Sequence, residues 1–508
     1  MNALSRTELP APVKVHLAAS AISGQGQHGA LSALAEQFDV SRPTVYAVGS
    51  EARKVLDGHF GSASSKNGSG WTPVEVHVDY VQLVRAVIAL RAVAPNSIRC
   101  IEELLPVLYP SVHLSYGSIQ AITTEAEARA AAFNKLADLS VIADAALDEM
   151  FSQGDPVLAG VDLDSGYLCA LALRKSRSGE DWAEVLREAK KQGLELKVVV
   201  KDAAKGIAAG VGAVYPDAQQ RDDCFHALYE MNKVRIVLEN RAYGAIQREI
   251  DAQQALDKAR WCVNGQRKSL VSKLNWASRK AEQAIELYDA FETAMRAAQE
   301  AMELVSLETG RPRQREQMQR EIEAAASQML DLDHRGCKKV GRYLTNRAPG
   351  LAIHLDAVNE ALAELANCYG PEAVHAACLA HRLAMDLRKN HRPWEAQRNQ
   401  ELLCDAIEEL EKHAPQHADR LFAVIDIISQ KRHRASSAIE GFNAALRPFL
   451  YVHKGVTQGF LELFRARHNL KTRRWGRHKG TSAHEVLTGA RVDDWLAELG
   501  YPPSVALN

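Results

Sequence analysis

The sequence lacks long apolar runs and paired cysteines. No stretch of the 508 residues reaches the roughly 18 apolar residues that a membrane-spanning helix needs. The segment Met1–Val15 has no apolar core of a signal peptide. The eight cysteines are scattered singly without a C-x-x-C pair, which argues against a disulfide framework and a zinc ribbon. We expect a cytoplasmic protein without a membrane partner.

A strong net charge is also missing, because the formal value is −1. The chain as a whole therefore does not indicate nucleic-acid binding. Its basic residues are nevertheless concentrated, since twelve lysines and arginines lie between Lys431 and Lys479, opposed only by Glu440 and Glu462. Such a local positive field suits phosphates, although a solvated basic tail would have the same composition.

Residues 25–57 have the pattern of a helix-turn-helix. Apolar residues at helical spacing precede a short turn, and Ser41 can cap the helix that follows. This places Arg42, Thr44 and Tyr46 at the exposed start of the second helix, where a recognition helix meets DNA. We predict that these three residues contact DNA, although short helical hairpins also produce this pattern.

A second helical region is predicted after a Gly/Ser-rich linker at 61–71. Its three helices begin near Val78, Ser97 and Ser115, and Ser97 is a suitable N-cap. This region is either a second helix-turn-helix or a helical dimerisation module.

The pattern changes to α/β from Pro156. Two apolar runs, Val157–Val161 and Tyr167–Leu173, indicate a pair of strands, and a third strand is predicted at Leu194–Val200. An amphipathic helix is predicted between the second and third of these strands. Alternation of strands with helices is typical of an α/β domain.

Residues 230–415 are predicted to be helical almost throughout. Apolar residues follow 3,4 spacing from Leu274 to Val305 and again from Met318 to Leu332. A Gly/Pro-containing loop separates the two runs. This pattern predicts an antiparallel coiled-coil hairpin.

Three acidic residues have positions that suit a metal site. Asp162 and Asp202 each end a predicted strand, and Glu440 begins a predicted helix. Carboxylates of this kind can hold two Mg²⁺ ions about 3.5–4 Å apart for phosphoryl transfer, with Mn²⁺ as a substitute. Asp164 is an alternative first acid, but it suits the turn before Ser165 better, whereas Asp162 closes the apolar run.

The surroundings of two of these acids resemble known motifs. The segments VVKDAAKG around Asp202 and SSAIEGFNAALR around Glu440 resemble the second and third motifs of DDE transposases with an RNase H-like core. The resemblance implies an enzyme that cuts and joins DNA, with Asp162, Asp202 and Glu440 as its catalytic, metal-binding triad. It also implies that Arg447, seven residues after Glu440, contacts the DNA end.

A further element resembles hAT- and Mutator-type transposases. Asp223 and His226 occupy the two places of their C/D-x-x-H element, which is implied to organise the edge of the active site. Those families also carry a helical insertion in which a tryptophan is implied to stack on a flipped base. Trp261 is the first candidate for that role, and Trp276 and Trp394 are rivals.

The fold that these patterns and resemblances predict is an α/β RNase H-like catalytic core. A large all-helical insertion interrupts it, and helix-turn-helix DNA-binding domains precede it. The predicted boundaries are 1–60 for the first DNA-binding domain, 61–71 for the linker, 72–150 for the second helical domain, 151–235 and 421–508 for the two parts of the core, and 236–420 for the insertion with its coiled-coil hairpin.

The predicted function is transposition. Double-stranded DNA is the expected partner, as terminal inverted repeats and as target, and a homo-oligomer would hold two ends together. Two Mg²⁺ ions per site are expected, and so is a location at a bacterial nucleoid. A DNA-binding regulator without catalysis and a structure-specific nuclease remain alternatives.

Overall fold

The computed structural model describes residues 9–23, 30–60, 78–202, 204–259, 264–389, 393–431, 437–452 and 455–504. The chain divides into two compact units, Met1–Val78 and Asp79–Asn508. It is mostly helical, and the described residues contain one five-stranded sheet. None of the described helices is both long and apolar enough to cross a membrane.

The first unit is a small bundle of three helices, α1 Ala11–Ser23, α2 Ala30–Gln37 and α3 Arg42–Phe60. Asp39 has a positive φ of 48° in the short turn between α2 and α3. Leu17 and Val45 are fully buried and form the centre of its apolar core. The predicted pair of helices with its turn is therefore present.

The second unit begins with three helices, each started by the hydrogen bond of a capping side chain. They are α4 Tyr80–Val93, α5 Ile98–Leu108 and α6 Tyr116–Lys135, capped by Asp79, Ser97 and Ser115. They do not form a separate compact unit. Asn134 donates to the backbone oxygen of Glu462 at 2.9 Å, which fastens α6 to the C-terminal part of the chain.

The sheet has the strand order β3-β2-β1-β4-β5. Strands β1 and β2 and strands β2 and β3 are antiparallel, whereas β4 is parallel to both β1 and β5. The strands are β1 Asp144–Ser152, β2 Asp155–Asp162, β3 Leu168–Leu173, β4 Val198–Lys201 and β5 Gln219–Asp222.

The first strand was not predicted, and it moves the start of the core. A boundary between residues 150 and 151 would cut β1, so the α/β region begins by Asp144. Gln153 and Gly154 both have positive φ, 54° and 96°, and form the two-residue turn between β1 and β2. Turns of this geometry match the twist of a hairpin, which explains the tight antiparallel pairing.

Helices cover both faces of the sheet. On one face, α7 Gly179–Lys190 and α8 Lys205–Val214 bury side chains against Leu147 and Val199. On the other face, Ala146 and Met150 of β1 pack with the helices α17 Ser437–Val452 and α18 Gln458–Leu470. Alternate residues of β1 thus point to opposite layers, as expected of a strand.

The helical insertion lies between β5 and α17. It starts with α9 Cys224–Lys258, so the predicted boundary at 235/236 falls inside one continuous helix. Arg347 donates to Asp222 at 3.0 Å and ties the insertion to β5. The remaining helices are α10 Asn264–Ala301, α11 Arg315–Asp331, α12 Arg335–Ala352, α13 Leu355–Tyr369, α14 Pro371–Lys389, α15 Pro393–His413 and α16 Ala418–Lys431.

The predicted helical hairpin is present as α10 and α11, but α10 also has another partner. Met302 and Met318 are buried in the core that α10 and α11 share. Ala281 packs with Ala245 of α9, and Ser278 donates to Glu249 of α9. The insertion is therefore a multi-helix bundle. Beyond α18, the residues described up to 504 add α19 Ala483–Thr488 and α20 Trp495–Glu498.

Candidate active site

Two aspartates lie side by side where β1 and β4 run in parallel. Leu147 of β1 is in register with Lys201 of β4, so the next residues on the two strands are Asp148 and Asp202. Neighbouring strands are about 4.8 Å apart, and residues in register point to the same face. Asp148 is two residues after Ala146 on β1, so their side chains point to the same face of the sheet. Ala146 packs on the α17 side, and we therefore place both aspartates on that side.

Helix α17 brings a third acid to this position. Its apolar side, with Phe442 and Leu446, is buried against the sheet. Residues three apart are neighbours on a helix, so Glu440 and Asn443 share one flank. Asn443 donates from Nδ2 to Oδ2 of Asp148 at 2.6 Å, and this bond fastens the helix to β1 beside the aspartates.

The charges of Asp202 and Glu440 act on the carboxyl group of Asp148. The pKa of Asp148 is raised to about 6, mainly by burial and further by the negative charges of Asp202 and Glu440. Hydrogen bonds from Asn443 and from the backbone N–H of Glu149 act in the opposite direction. Asp148, Asp202 and Glu440 thus form a concentrated negative cluster, which we call the carboxylate cluster.

Asp162 does not belong to this cluster. It pairs with Ala145, three residues before Asp148 on β1, and Ala145 packs on the α7 and α8 side of the sheet, opposite to the side that Asp148 faces. Its carboxylate accepts hydrogen bonds from the backbone N–H and the hydroxyl of Ser165, which hold the β2–β3 turn. The prediction that Asp162 converges with Asp202 is wrong, because β2 and β4 are neither adjacent nor parallel.

Asp164, the alternative first acid, lies in that same turn. Its backbone oxygen accepts a hydrogen bond from Nε2 of His478 at 2.8 Å, and its carboxylate is 3.9 Å from the guanidinium of Arg477. Both acids of the β2–β3 turn therefore have structural surroundings of their own, away from Asp202.

Asp223 and His226 adjoin the carboxylate cluster. Asp223 is buried and caps α9, accepting from the backbone N–H of Phe225 at 2.8 Å. Its other carboxylate oxygen is 3.1 Å from Nδ1 of His226. This hydrogen bond raises the pKa of His226 to about 9. Burial acts in the opposite direction, and the negative charges of Asp223, Asp148 and Asp202 raise the pKa further. His226 is therefore a cation at neutral pH.

We expect His226→Gln to destabilise the protein in a pH-dependent way. The pKa of His226 is raised above its ordinary value of 6.5, so its stabilisation is complete below that pH and is lost as pH rises through 9. The loss in free energy of unfolding should be about 2 kcal/mol near pH 7 and close to zero near pH 10. Urea unfolding at the two pH values measures it, with the exposed His113→Gln as control. An equal loss at both pH values would contradict this account.

The donor set of the carboxylate cluster suits a hard divalent cation. Carboxylate oxygens are the ligands that Mg²⁺ prefers, and the buried Oδ1 atom of Asn443 has no hydrogen-bond partner among the described residues. Within the described part of the chain, no group of three or more Asp, Glu, His or Cys side chains is close enough to share one ion. The residues fit a cation in chemistry and charge, but their spacing is wider than joint coordination requires.

The residues predicted to contact DNA have different surroundings. In the first unit, Arg42 and Tyr46 are exposed, Tyr46 by 60%. Thr44 is only 9% exposed, and its hydroxyl is 2.9 Å from that of Ser41 at the start of α3. The expectation that Thr44 is exposed is wrong, because its side chain turns inward to the helix start.

The other predicted contacts lie in the second unit. Arg447 is exposed on α17, two turns after Glu440. Trp261 lies outside the described residues, and so does the side chain of Trp394. Trp276 is described and is 54% exposed on α10.

A family model described as Transposase, of the DDE type named ISL3, matches residues 152–368. No curated protein matches the chain. The match includes Asp202, Asp223 and His226 but begins after Asp148 and ends before Glu440. It supports a DDE transposase and a transposase function, whereas the resemblance to hAT and Mutator elements stays a prediction.

Proposed function

We propose that this protein is a transposase whose metal-dependent site for DNA cleavage and strand transfer is formed by Asp148, Asp202 and Glu440. The observation that carries the proposal is the placement of two aspartates on neighbouring parallel strands, with the helix of Glu440 fastened to Asp148 through Asn443. We also propose that the sheet is an RNase H-like core. The transposase match and the mixed five-stranded sheet support this assignment.

Each residue of the site has a separate task in this proposal. Asp148, Asp202 and Glu440 would hold Mg²⁺ or Mn²⁺, and two bound ions supply activation of an attacking water or 3′-hydroxyl and stabilisation of the leaving oxygen. Asn443 holds the Asp148 carboxylate in one orientation. The cationic His226, itself oriented by Asp223, offsets part of the negative charge of the cluster.

The proposed DNA contacts lie in both units. The exposed Arg42 and Tyr46 at the start of α3 would contact the terminal inverted repeats, because the start of a recognition helix faces the DNA. The exposed Arg447 would contact phosphates beside the carboxylate cluster. Two DNA ends must be held at once in transposition, so we propose that the protein acts as a homo-oligomer.

Cleavage and joining of labelled duplexes from the DNA that flanks the gene test the function. We expect products with wild-type protein only when Mg²⁺ or Mn²⁺ is present, and none with Asp202→Asn or Glu440→Gln. Asparagine is chosen at 202 because its oxygen can still accept the hydrogen bond that the carboxylate receives from the backbone N–H of Ala204 at 2.8 Å.

The same duplexes separate the competing functions. If all three proteins bind the ends alike and none cuts with either metal, the protein is a DNA-binding regulator and the catalytic proposal fails. If the wild type cuts branched DNA but not the flanking sequences, a structure-specific nuclease replaces the transposase.

A further inference from the structure

The segment at residues 471–482, here called the basic loop, follows α18 and has a rigid framework. Arg473 is the centre of that framework, and its guanidinium donates to three backbone oxygens, those of Ser165, Thr481 and Ser482, at 2.8, 3.3 and 3.0 Å. One arginine thus closes the loop on itself and fastens it to the β2–β3 turn. The loop therefore has a defined conformation.

This framework presents an exposed aromatic ring between cations. Trp475 is 78% exposed, although tryptophan is among the more buried residue types on average. Arg474 and Lys479 are also exposed, and neither forms an ion pair with another residue that the structure describes. A tryptophan held in water beside unpaired cations has the composition of a site that binds both a flat ring and phosphates.

The base of the loop carries more positive charge. Burial lowers the pKa of Lys471, and the neighbouring charges of Arg467 and Arg473 lower it further. His468 is partly buried, and desolvation lowers its pKa to about 3, so it adds no charge. The like charges repel one another, and an anion bound to the loop would relieve that repulsion.

A cavity connects the basic loop with the helix of the proposed active site. Its volume is about 650 Å³, and its lining includes Trp475 and Arg477 of the loop together with Ser437 and Gly441 of α17. Glu440 belongs to the same first turns of α17. Ser437 and Gly441 are three and one residues from Glu440, so the cavity adjoins the turn of α17 that carries Glu440.

We propose that Trp475 stacks on an unpaired base of the DNA strand held at the carboxylate cluster, with Arg474 and Lys479 on the flanking phosphates. The inference rests on the proposed function, because it needs a DNA strand at Glu440. An unpaired base is required, since the faces of paired bases are covered by their neighbours in the stack. Stacking on an aromatic side chain tolerates any base, so the site should bind without sequence preference.

Fluorescence anisotropy with the full-length protein tests the proposal. The probes are one labelled duplex of arbitrary sequence with blunt ends and the same duplex with a thymidine tail of about six nucleotides. EDTA is present, so no cleavage step is involved. We expect the wild type to prefer the tailed duplex, and Trp475→Ala to bind it about tenfold more weakly with unchanged binding of the blunt duplex.

Two further variants control the experiment. Trp475→Phe should keep most of the preference because it keeps a ring, and Tyr243→Ala, at an exposed aromatic residue of α9, should keep all of it. The proposal is overturned if the wild type does not prefer the tail, or if Trp475→Ala binds it as the wild type does. If Trp475→Ala loses the preference for the tail but the wild type never cuts DNA, stacking is supported and the catalytic proposal fails. Failure of the stacking proposal can therefore be told apart from failure of the proposed function.

Discussion

Asp148→Asn is expected to abolish DNA cleavage, whereas Asp162→Ala should leave the cleavage rate within a few-fold of wild type. Removing groups that merely orient metal ligands costs about 10–100-fold in activity or affinity, so loss of a ligand itself should cost at least that much. Asp162 instead holds the β2–β3 turn through Ser165, and its partner Ala145 packs on the other face of the sheet from Asp148. Single-turnover cleavage at saturating DNA measures both variants.

Thermal or urea unfolding completes this comparison. Asp162→Ala removes two hydrogen bonds to Ser165 and should lower the free energy of unfolding by about 2 kcal/mol. Its cleavage is therefore measured at a temperature where the variant is folded. If a folded Asp162→Ala protein cannot cut while Asp148→Asn can, the first acid is Asp162 and the assignment of Asp148 falls.

The sequence around Asp148 contained evidence for a strand, but its hydrophobic pattern did not indicate one. Two adjacent acids, Asp148 and Glu149, interrupt the apolar alternation of β1, so the segment does not resemble a buried strand. The Gln153–Gly154 pair was the better signal, because a glycine in a two-residue connection favours a tight hairpin. A hairpin at that position requires a strand before it and makes β2 antiparallel to that strand. The end of β2 that carries Asp162 therefore does not lie beside the end of β4 that Asp202 follows.

Periodicity predicted buried faces well but did not identify what covers them. The 3,4 spacing of α10 and α11 identified Met302 and Met318 as buried, and both are. The same spacing gave no indication that α10 also packs on α9. In the same way, the cap of α5 was predicted from its local sequence. The hydrogen bond between Asn134 and Glu462 joins residues 328 positions apart and was not predicted. Contacts of that range depend on the assembled fold.

The same aspartate should also limit the stability of the protein when no metal is bound. The pKa of Asp148 in the folded chain, about 6, is above its ordinary value of 3.8. Ionised Asp148 therefore costs folding free energy above pH 6, and the cost fades as pH falls from 6 toward 3.8. We expect Asp148→Asn to raise the free energy of unfolding by about 2 kcal/mol near pH 8 in EDTA and to have little effect near pH 4.

Local geometry favours this gain, because asparagine at 148 has suitable partners. The side-chain oxygen of the introduced asparagine can accept a hydrogen bond from the backbone N–H of Glu149. Once the side-chain amide of Asn443 has rotated by half a turn, the amide of the introduced asparagine can donate to Oδ1 of Asn443, an atom that has no other partner among the described residues. Urea unfolding with EDTA or with Mn²⁺ measures the balance. Mn²⁺ should stabilise the wild type and not the variant, which reverses their order. If the variant is the less stable protein near pH 8 in EDTA, ionised Asp148 does not cost folding free energy, and the raised pKa on which this expectation rests is contradicted.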